Sequence, residues 1–564
     1  MRPSLIALCA GSLLLAACNR EPAPATVEAP PAPDAAAPQA AHAFEPGIDA
    51  DDVRALVTTL SSDEFEGRAP GSVGEEKTTA YIREQFERIG LQPGGDNDTF
   101  FQTVPMVETT ADESTVLRLD SDGQTRELKF GSDMVIGTRT GQAEVEVADS
   151  ELVFVGYGVN APEQDWNDYA GVDVKGKTVV LLVNDPGFHA GDDSLFDGNR
   201  MTYYGRWTYK YEEAARQGAA AALIIHDTEG ASYGWDVVRN SWSGAQFDLR
   251  AEDDPEPRLP AQGWITTEVA QQLFAESGLD LKEQYAAANE RGFKAVPLKA
   301  KVSFDLRSTV TEKSSQNVIG YIPGSAAPEE TVIYLAHWDH LGKHEGEGDT
   351  IYNGAVDNAT GVAGIIEIAE KFKQSAQPQR SVVFLAVTLE ESGLLGSKFY
   401  VAQPSFPLEK TVGVINLDAM SVAGRARDMV VTGKGNSELE DILEAHAGKQ
   451  QRTLVEEGNP AGGYYFRSDH FNFAKAGVPA LYAKGGSDLV EGGTEAGKAA
   501  GDDYASRYHQ PGDEIHEGWK FDGIVEDLEL LFSVGLELAD GGQWPNWYEG
   551  NPFKAARDAQ RAGQ

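Results

Sequence analysis

The chain predicts an α/β fold, an open sheet covered by helices, with a β-rich stretch interposed ahead of its core. Three observations carry this. Short β-branched apolar runs at 331–335, 381–389 and 411–417 read as buried strands. Apolar residues at Val362, Ile365, Ile366, Ala369 and Phe372 recur with a helical period. Each run also ends on an acid or a histidine: His337 and Asp339 after the first, Glu390 and Glu391 after the second, Asp418 after the third. Asp357 stands just before the helical pattern. Strands of one open sheet would bring these carboxyl ends to a single crevice.

Five carboxylates and an imidazole brought that close repel and are costly to desolvate unless a cation sits among them. Histidine mixed with carboxylate suits zinc, with manganese or cobalt next. His509, in Tyr508-His509-Gln510-Pro511-Gly512-Asp513, adds a second imidazole. The only cysteines are Cys9 and Cys18, so the mature chain offers no thiolate ligand, thiol nucleophile or disulfide.

The residues His337-Trp338-Asp339, Asp357-Asn358, Glu390-Glu391, Asn416-Leu417-Asp418 and Tyr508-His509 stand in an order that resembles the co-catalytic zinc aminopeptidases, a family that includes the glutamate carboxypeptidases. His337 to Asp357 spans 20 residues and Glu391 to Asp418 spans 27, spacings that also fit. The resemblance covers most of the chain after about Asp49. It implies a three-layer αβα zinc-peptidase sheet, two bound Zn2+ ions (Mn2+ or Co2+ as alternatives) and peptide substrates. By the same resemblance Asp357 bridges the ions, His337 and Asp418 complete one site, and Glu391 and His509 complete the other. Glu390, left free of metal, is the expected general base. Asp339 is expected to accept the second N–H of His337, which would fix its tautomer. Tyr508 is the candidate donor to a developing oxyanion.

From the start of the chain, Met1-Arg2 and the apolar run at 5–17 form a secretory signal too short to span a bilayer. Leu15-Ala16-Ala17-Cys18 resembles a bacterial lipobox, so 1–18 is expected to be a signal peptide and Cys18 the lipidated first residue, with Asn19 pointing to the outer membrane. From Asn19 to Ala43 the chain is Pro/Ala-rich, cannot build a core and would reach roughly 75 Å at about 3.1 Å per residue, so 19–45 reads as a tether. Residues 46–140 are assigned to the peptidase domain, with a helix through Tyr81, Ile82, Phe86 and Ile89 stopped by Gly90.

Residues 141–299 change character. The strand-like runs at 152–158, 176–183 and 220–225, with a helix through 211–217, suggest a β-rich unit with one crossing helix, which looks like the protease-associated domain inserted in larger members of the family. There it usually roofs the active site. Within it, Gly230-Ala231-Ser232-Tyr233-Gly234 matches a serine-hydrolase elbow. That motif needs a strand directly before the serine and a helix directly after. His226 to Glu229 intervene, and no helical start is evident at 235–240, so a serine mechanism is disfavoured.

Residues 300–545 hold the zinc-peptidase motifs, and 546–564 read as a C-terminal tail. His340, His344 and His470 are expected in polar loops or supporting positions, since the ligand set is filled without them. Ser468-Asp469-His470 looks like a family signature that shapes the substrate pocket, and the Gly-rich stretch 485–501 reads as a flexible loop at its mouth. A formal net charge of −42 argues against nucleic acid. A carboxypeptidase, a one-zinc glutaminyl cyclase and a metal-free receptor-like relative stand as alternatives. The complete motif set argues against the last, and Arg467 keeps carboxylate recognition open.

Overall fold

The computed structural model describes residues 42–562. The expected signal peptide, Cys18 and most of the tether lie outside the described residues.

The helices α1 (Ala50–Leu60) and α2 (Val73–Ile89) come first, capped at their N-termini by the side chains of Asp49 and Ser72. Gly90 closes α2 at φ 80°, a backbone region that glycine enters without strain. The strand β1 (Phe101–Ala111) then leads away from this helical layer. It pairs antiparallel with part of a much longer strand, from Ser308↔Ala111 to Val318↔Phe101, so the chain leaves and returns as one ribbon.

Between the two arms of that ribbon lies a second sheet with its own core, from Leu117 to Leu306. Its central strands are β2 (Glu144–Phe154), β3 (Thr178–Leu182), β4 (Ala221–Ile225) and β5 (Ala261–Ile265), parallel from one to the next. This core begins upstream of the boundary expected at 141, because the hairpin of Val116–Ser121 with Gln124–Lys129 pairs with residues 301–303 and Met134–Gly137 pairs with β5. The stretch also carries more than one helix: Trp207–Arg216, Thr228–Ala231, Trp235–Trp242, Thr267–Glu276 and Leu281–Ala288. The helix at Trp235 was not legible because its N-cap, Gly234, has no side chain to signal a start.

The long strand β6 (Val296–Ile322) belongs to both sheets: its first part pairs with β2, its last part with the sheet of the helical layer. The sheet of the helical layer continues with β7 (Ala327–His337), the helix α3 (Thr360–Gln374), β8 (Arg380–Val387), β9 (Thr411–Asn416) and β10 (Ala480–Gly485). The strand order is β6-β8-β7-β9-β10, parallel except for β6. Alternate residues of β7 face opposite ways. Val332, Tyr334 and Ala336 pack with α1, α3 and the helix α4 (Asp522–Asp540); Ile333 and Leu335 pack with Tyr400, Phe473 and Val478 on the other face. The expected three layers are present. Residues 332–336 are all fully buried, worth about 1.5–3 kcal/mol for each large aliphatic side chain.

Residues 546–562 pack against the fold rather than trailing from it. Trp547 is buried, and Arg557, on the helix Lys554–Ala562, donates to the carbonyls of Thr411 and Val412 at 3.0 Å each. The Gly-rich stretch is likewise ordered in its second half: Gly493–Arg507 is a helix that runs directly into Tyr508 and His509.

Candidate metal centre

Because β7 lies between β8 and β9, the ends of these three strands are neighbours, and His337 sits in register with Val387. The chain must turn sharply after β8 and β9 to aim carboxylates into the crevice. It does so through Leu389 (φ 56°) and Ala419 (φ 50°), left-handed conformations that side-chain-bearing residues rarely adopt. His509 is held the same way at φ 55°. Strain of this kind costs on the order of 1–3 kcal/mol per residue and gathers at functional sites.

His337 Nε2 lies 3.2 Å from Asp357 Oδ1 and 3.6 Å from Asp418 Oδ1. His509 Nε2 lies 3.3 Å from Asp357 Oδ2 and 3.1 Å from Glu391 Oε2. Asp357 therefore turns one oxygen to each histidine. Donors held on a tetrahedral ion by bonds of about 2.0–2.1 Å stand about 3.3 Å apart, so both sets have the separations of a ligand shell. His509 Nε2 is buried with no aligned hydrogen-bond partner, which fits a nitrogen waiting for a cation. The donor chemistry, two imidazoles and three carboxylates, fits zinc.

Electrostatics point the same way. Burial pulls His337 down, yet Glu390, Asp357 and Asp418 hold it well above the usual imidazole range. Burial pushes Asp357 up, and His337 and His509 overcome it, holding the carboxylate well below its ordinary value. Glu390 makes no close contact with either histidine. Burial drives its proton affinity well above the carboxylate range; Glu391 and Asp418 add to this against His337. A carboxylate in that state is suited to accept a proton.

Asp339 differs from expectation. Its carboxylate accepts the backbone N–H groups of Glu390 and Glu391 at 3.1 and 3.4 Å. His337 Nδ1 is 3.8 Å from that carboxylate and only 3.2 Å from the backbone carbonyl of Asp339. The carboxylate is drawn to the turn after β8, and the carbonyl takes over the tautomer-fixing role. Tyr508 is 48 % exposed, its ring stacked on His509 at 3.9 Å. Loss of water around its hydroxyl and the nearby Asp357 push the phenol up, keeping it a proton donor.

His340 comes closer to the centre than a polar loop would bring it. It is fully buried, its ring edge-on to His509, and it falls within ligand range of Asp357 and Glu391. Its Nδ1 is 2.7 Å from Glu391 Oε1, shorter than a ligand-to-ligand edge and typical of a shared proton, although the pair is not aligned as a hydrogen bond. Its ring packs against Gly354, where any Cβ would meet it at 2.6 Å. His344 stays in an exposed loop against Tyr352. His470, pulled down to about 3 by burial, is neutral between Tyr465 and Tyr482.

Sequence reasoning missed Arg68. It is buried, and its guanidinium donates to the carbonyls of Leu60, Trp338, Asn353, Gly354 and Asp357. It thus ties α1, the His337 strand end and the Asp357 loop together, and it brings a cation behind the carboxylates. A lone arginine in a turn carries no periodic signal. The elbow-like Ser232 sits after the short helix Thr228–Ala231 rather than a strand.

The sequence profile of peptidase family M28 matches residues 317–528, the segment that holds every donor of both sets. The family resemblance read from the five motifs is borne out. The mouse aminopeptidase NAALADL1 is 32 % identical over 128 residues, 22 % of this chain and 16 % of that protein. A probable lipoprotein aminopeptidase, LpqL of Mycobacterium tuberculosis, is 24 % identical over 352 residues, 59 % of this chain and 60 % of that protein. The chain thus spans less than two thirds of either relative's length. A solved aminopeptidase from Aneurinibacillus sp. strain AM-1 aligns over 88 % of this chain and 95 % of its own, at 22 % identity and a TM-score of 0.47.

Proposed function

We propose, for a chain whose residues 317–528 match peptidase family M28, a metal-dependent exopeptidase that releases N-terminal residues from peptides. The observation that carries this reading is Asp357, one oxygen facing each of two histidine–carboxylate sets. Two Zn2+ ions would be held by His337, Asp357 and Asp418 on one side and by Asp357, Glu391 and His509 on the other. Zinc bound there supplies charge that polarises a scissile carbonyl and lowers the proton affinity of water. Glu390 takes the proton from the attacking water and returns it to the leaving amine. Tyr508 donates its hydroxyl to the developing oxyanion. Asp339, holding the N–H groups of Glu390 and Glu391, keeps base and ligand in their relative positions.

An acidic centre in a chain of net charge −42 favours a positively charged substrate end, the free N-terminal amine. The names of the mouse and mycobacterial relatives support the same end. The second sheet, read as a protease-associated domain, acts as a roof: Arg206 and Trp207 share with Glu390 and Tyr508 the lining of a cavity of about 660 Å³. A lipid anchor at Cys18 would hold the enzyme in the cell envelope, at the outer membrane. Among the described residues no helix is long and apolar enough to cross a membrane.

One observation favours a carboxypeptidase-type reading. Arg206 and Arg467 line that same cavity, and neither Nε has a hydrogen-bond partner among the described residues. Burial and then Arg467 pull Arg206 down to about 10, as expected of two guanidiniums that lack a shared anion. A substrate carboxylate would fill that role. The two readings separate on a panel of free, N-acetylated and C-amidated peptides. Cleavage of free and amidated but not acetylated peptides is expected; rapid cleavage of acetylated peptides with amidated ones untouched reverses the assignment.

A further inference from the structure

We propose that a second cavity, apart from the metal centre, is an exosite for a basic side chain of a peptide. It holds about 280 Å³ between the two layers, walled by parts of 163–204 on one side and of 433–466 and 549–553 on the other. That volume lies just below the range of sites that take whole small molecules, so it suits one side chain. Its floor is aromatic: Phe196, Tyr204, Tyr465 and Phe553 line it, and all four are buried. Its charge is of one sign. Glu163, Asp197, Glu457 and Glu549 line it, and the one basic residue among the described lining, Arg200, is already paired with Glu456. Carboxylates set around aromatic faces attract a cation carried on an apolar stem and repel an anion.

Two of these carboxylates are held in place by the protein. Glu163 Oε1 accepts from Tyr204 Oη at 2.6 Å, and Glu457 Oε2 accepts the Gly433 N–H at 3.1 Å. Among the described residues the second oxygen of each accepts no hydrogen bond, so each has one to offer. A group on the floor points to a ligand independently of charge. Tyr465 is 3 % exposed, and its hydroxyl is buried with no hydrogen-bond partner. A phenol left in that state is costly unless something enters to meet it. Its ring is seated on Gly433, where at φ 70° any Cβ would collide with it. A guanidinium, with five N–H donors and no acceptor, has donors enough for the phenol oxygen and both carboxylates; an ammonium, with three, has as well.

The cavity is distinct from the metal centre yet adjacent to it. The Tyr465 ring lies 4.5 Å from that of His470, His470 lies 5.3 Å from Tyr482, and Tyr482 Oη donates to the Asp418 carbonyl at 3.2 Å. Phe466 lines both this cavity and the larger one that reaches Glu390 and Tyr508. That shared wall favours a peptide over a free polyamine as the source of the cation, because a chain lying beside the metal centre passes close to this opening.

The test is isothermal titration of N-acetyl-L-arginine amide into purified full-length protein. Its caps remove the terminal charges, so the side chain alone is charged. Saturable binding at roughly millimolar concentration or below is expected of one side chain. Tyr465→Phe, which keeps the ring and removes only the hydroxyl, should weaken it by about 10-fold, and so should Glu163→Gln combined with Glu457→Gln. N-acetyl-L-norleucine amide, which has the stem without the charge, should not bind. Thermal unfolding without ligand shows that each variant is folded. Binding that is equal in wild type and both variants is diffuse attraction to a chain of net charge −42, and the proposal falls. Binding lost in Glu390→Gln but kept in Tyr465→Phe would put the side chain at the metal centre and overturn it as well. Tighter binding of putrescine than of the capped arginine would assign the cavity to a free polyamine instead of a peptide. None of these outcomes touches the two-zinc reading.

Discussion

The Asp513 carboxylate accepts the backbone N–H of Val356 and of Asp357, each at 3.1 Å, and its own carbonyl receives Ala355 N–H at 2.9 Å. The loop that carries His509 is thereby joined to the loop that carries Asp357, so both flanks of the second donor set move as one. Asp513→Ala leaves two buried N–H groups without an acceptor, each worth about 1–3 kcal/mol. It is expected to lower unfolding stability by at least 2 kcal/mol and to weaken zinc retention, although Asp513 is no ligand. Denaturant titration and metal analysis on the same samples check this; full zinc retention would mean the two loops are independent.

Glu390→Gln separates chemistry from ligation. The amide keeps size and shape but cannot take a proton, so zinc should stay while turnover falls by about 10² to 10⁴. Asp357→Asn should lose zinc together with activity. A Glu390→Gln protein with normal turnover, or one stripped of metal, would show that base and ligand are interchanged.

Away from the centre, Glu367 on α3 is fully buried and accepts the Asp49 N–H at 3.0 Å. Burial, then the neighbouring Asp52 and Glu370 against that hydrogen bond, pushes its carboxyl up to about 8. A carboxyl raised in the folded state favours the protonated form there. The stability it lends is full below its unfolded value of about 4.5 and is lost as pH rises through about 8. Glu367→Gln should therefore match wild type near pH 4 and melt at a higher temperature at pH 9. Melting curves that differ by the same amount at both pH values would refute the shift.

The second sheet is docked by charge to the layer that carries the candidate metal centre. Lys475 Nζ lies 3.2 Å from both Glu212 and Glu256, and Lys398 Nζ lies 2.6 Å from Asp254. Lys475→Met removes the cation shared by two largely buried carboxylates and leaves them only Arg216, 4.0 Å from Glu212 and 3.2 Å from Glu256, a loss of about 2 kcal/mol. Limited proteolysis should then cut within 112–307 at least tenfold faster than in wild type. Unchanged cleavage would show that the aromatic contact of Tyr203 with Phe471 and Phe553 suffices for docking.

Cys18→Ser should abolish fatty-acid labelling and release the protein from the membrane fraction. A variant that stays membrane-associated, with neither form labelled, would exclude the lipid anchor.

The strands and their acidic ends are legible because a β-branched run followed by a turn is a local signal, and three such signals in order place their ends on one edge. The exchange of roles at Asp339 was not, because its carboxylate is claimed by the turn after β8, some 50 residues away in sequence. The helix Gly493–Arg507 was hidden by composition: glycine suggested a loop, while Ala, Glu and Lys supplied the propensity and only Gly497 is buried, so no apolar stripe marks it. The early start of the second core was also invisible, since only the pairing of β1 with β6 shows where the ribbon opens.

The guanidinium of Arg68 bears on how the protein can be dissected. The family profile begins at residue 317, and a fragment cut there would look complete by its motifs. It would still lack the side chain that satisfies the carbonyls of Trp338, Asn353, Gly354 and Asp357. Those oxygens would be left facing a void where the cation had been. The unit that carries the candidate metal centre is therefore discontinuous in the chain: an N-terminal segment more than 200 residues before the profile completes it, and any minimal expressible version must retain both pieces.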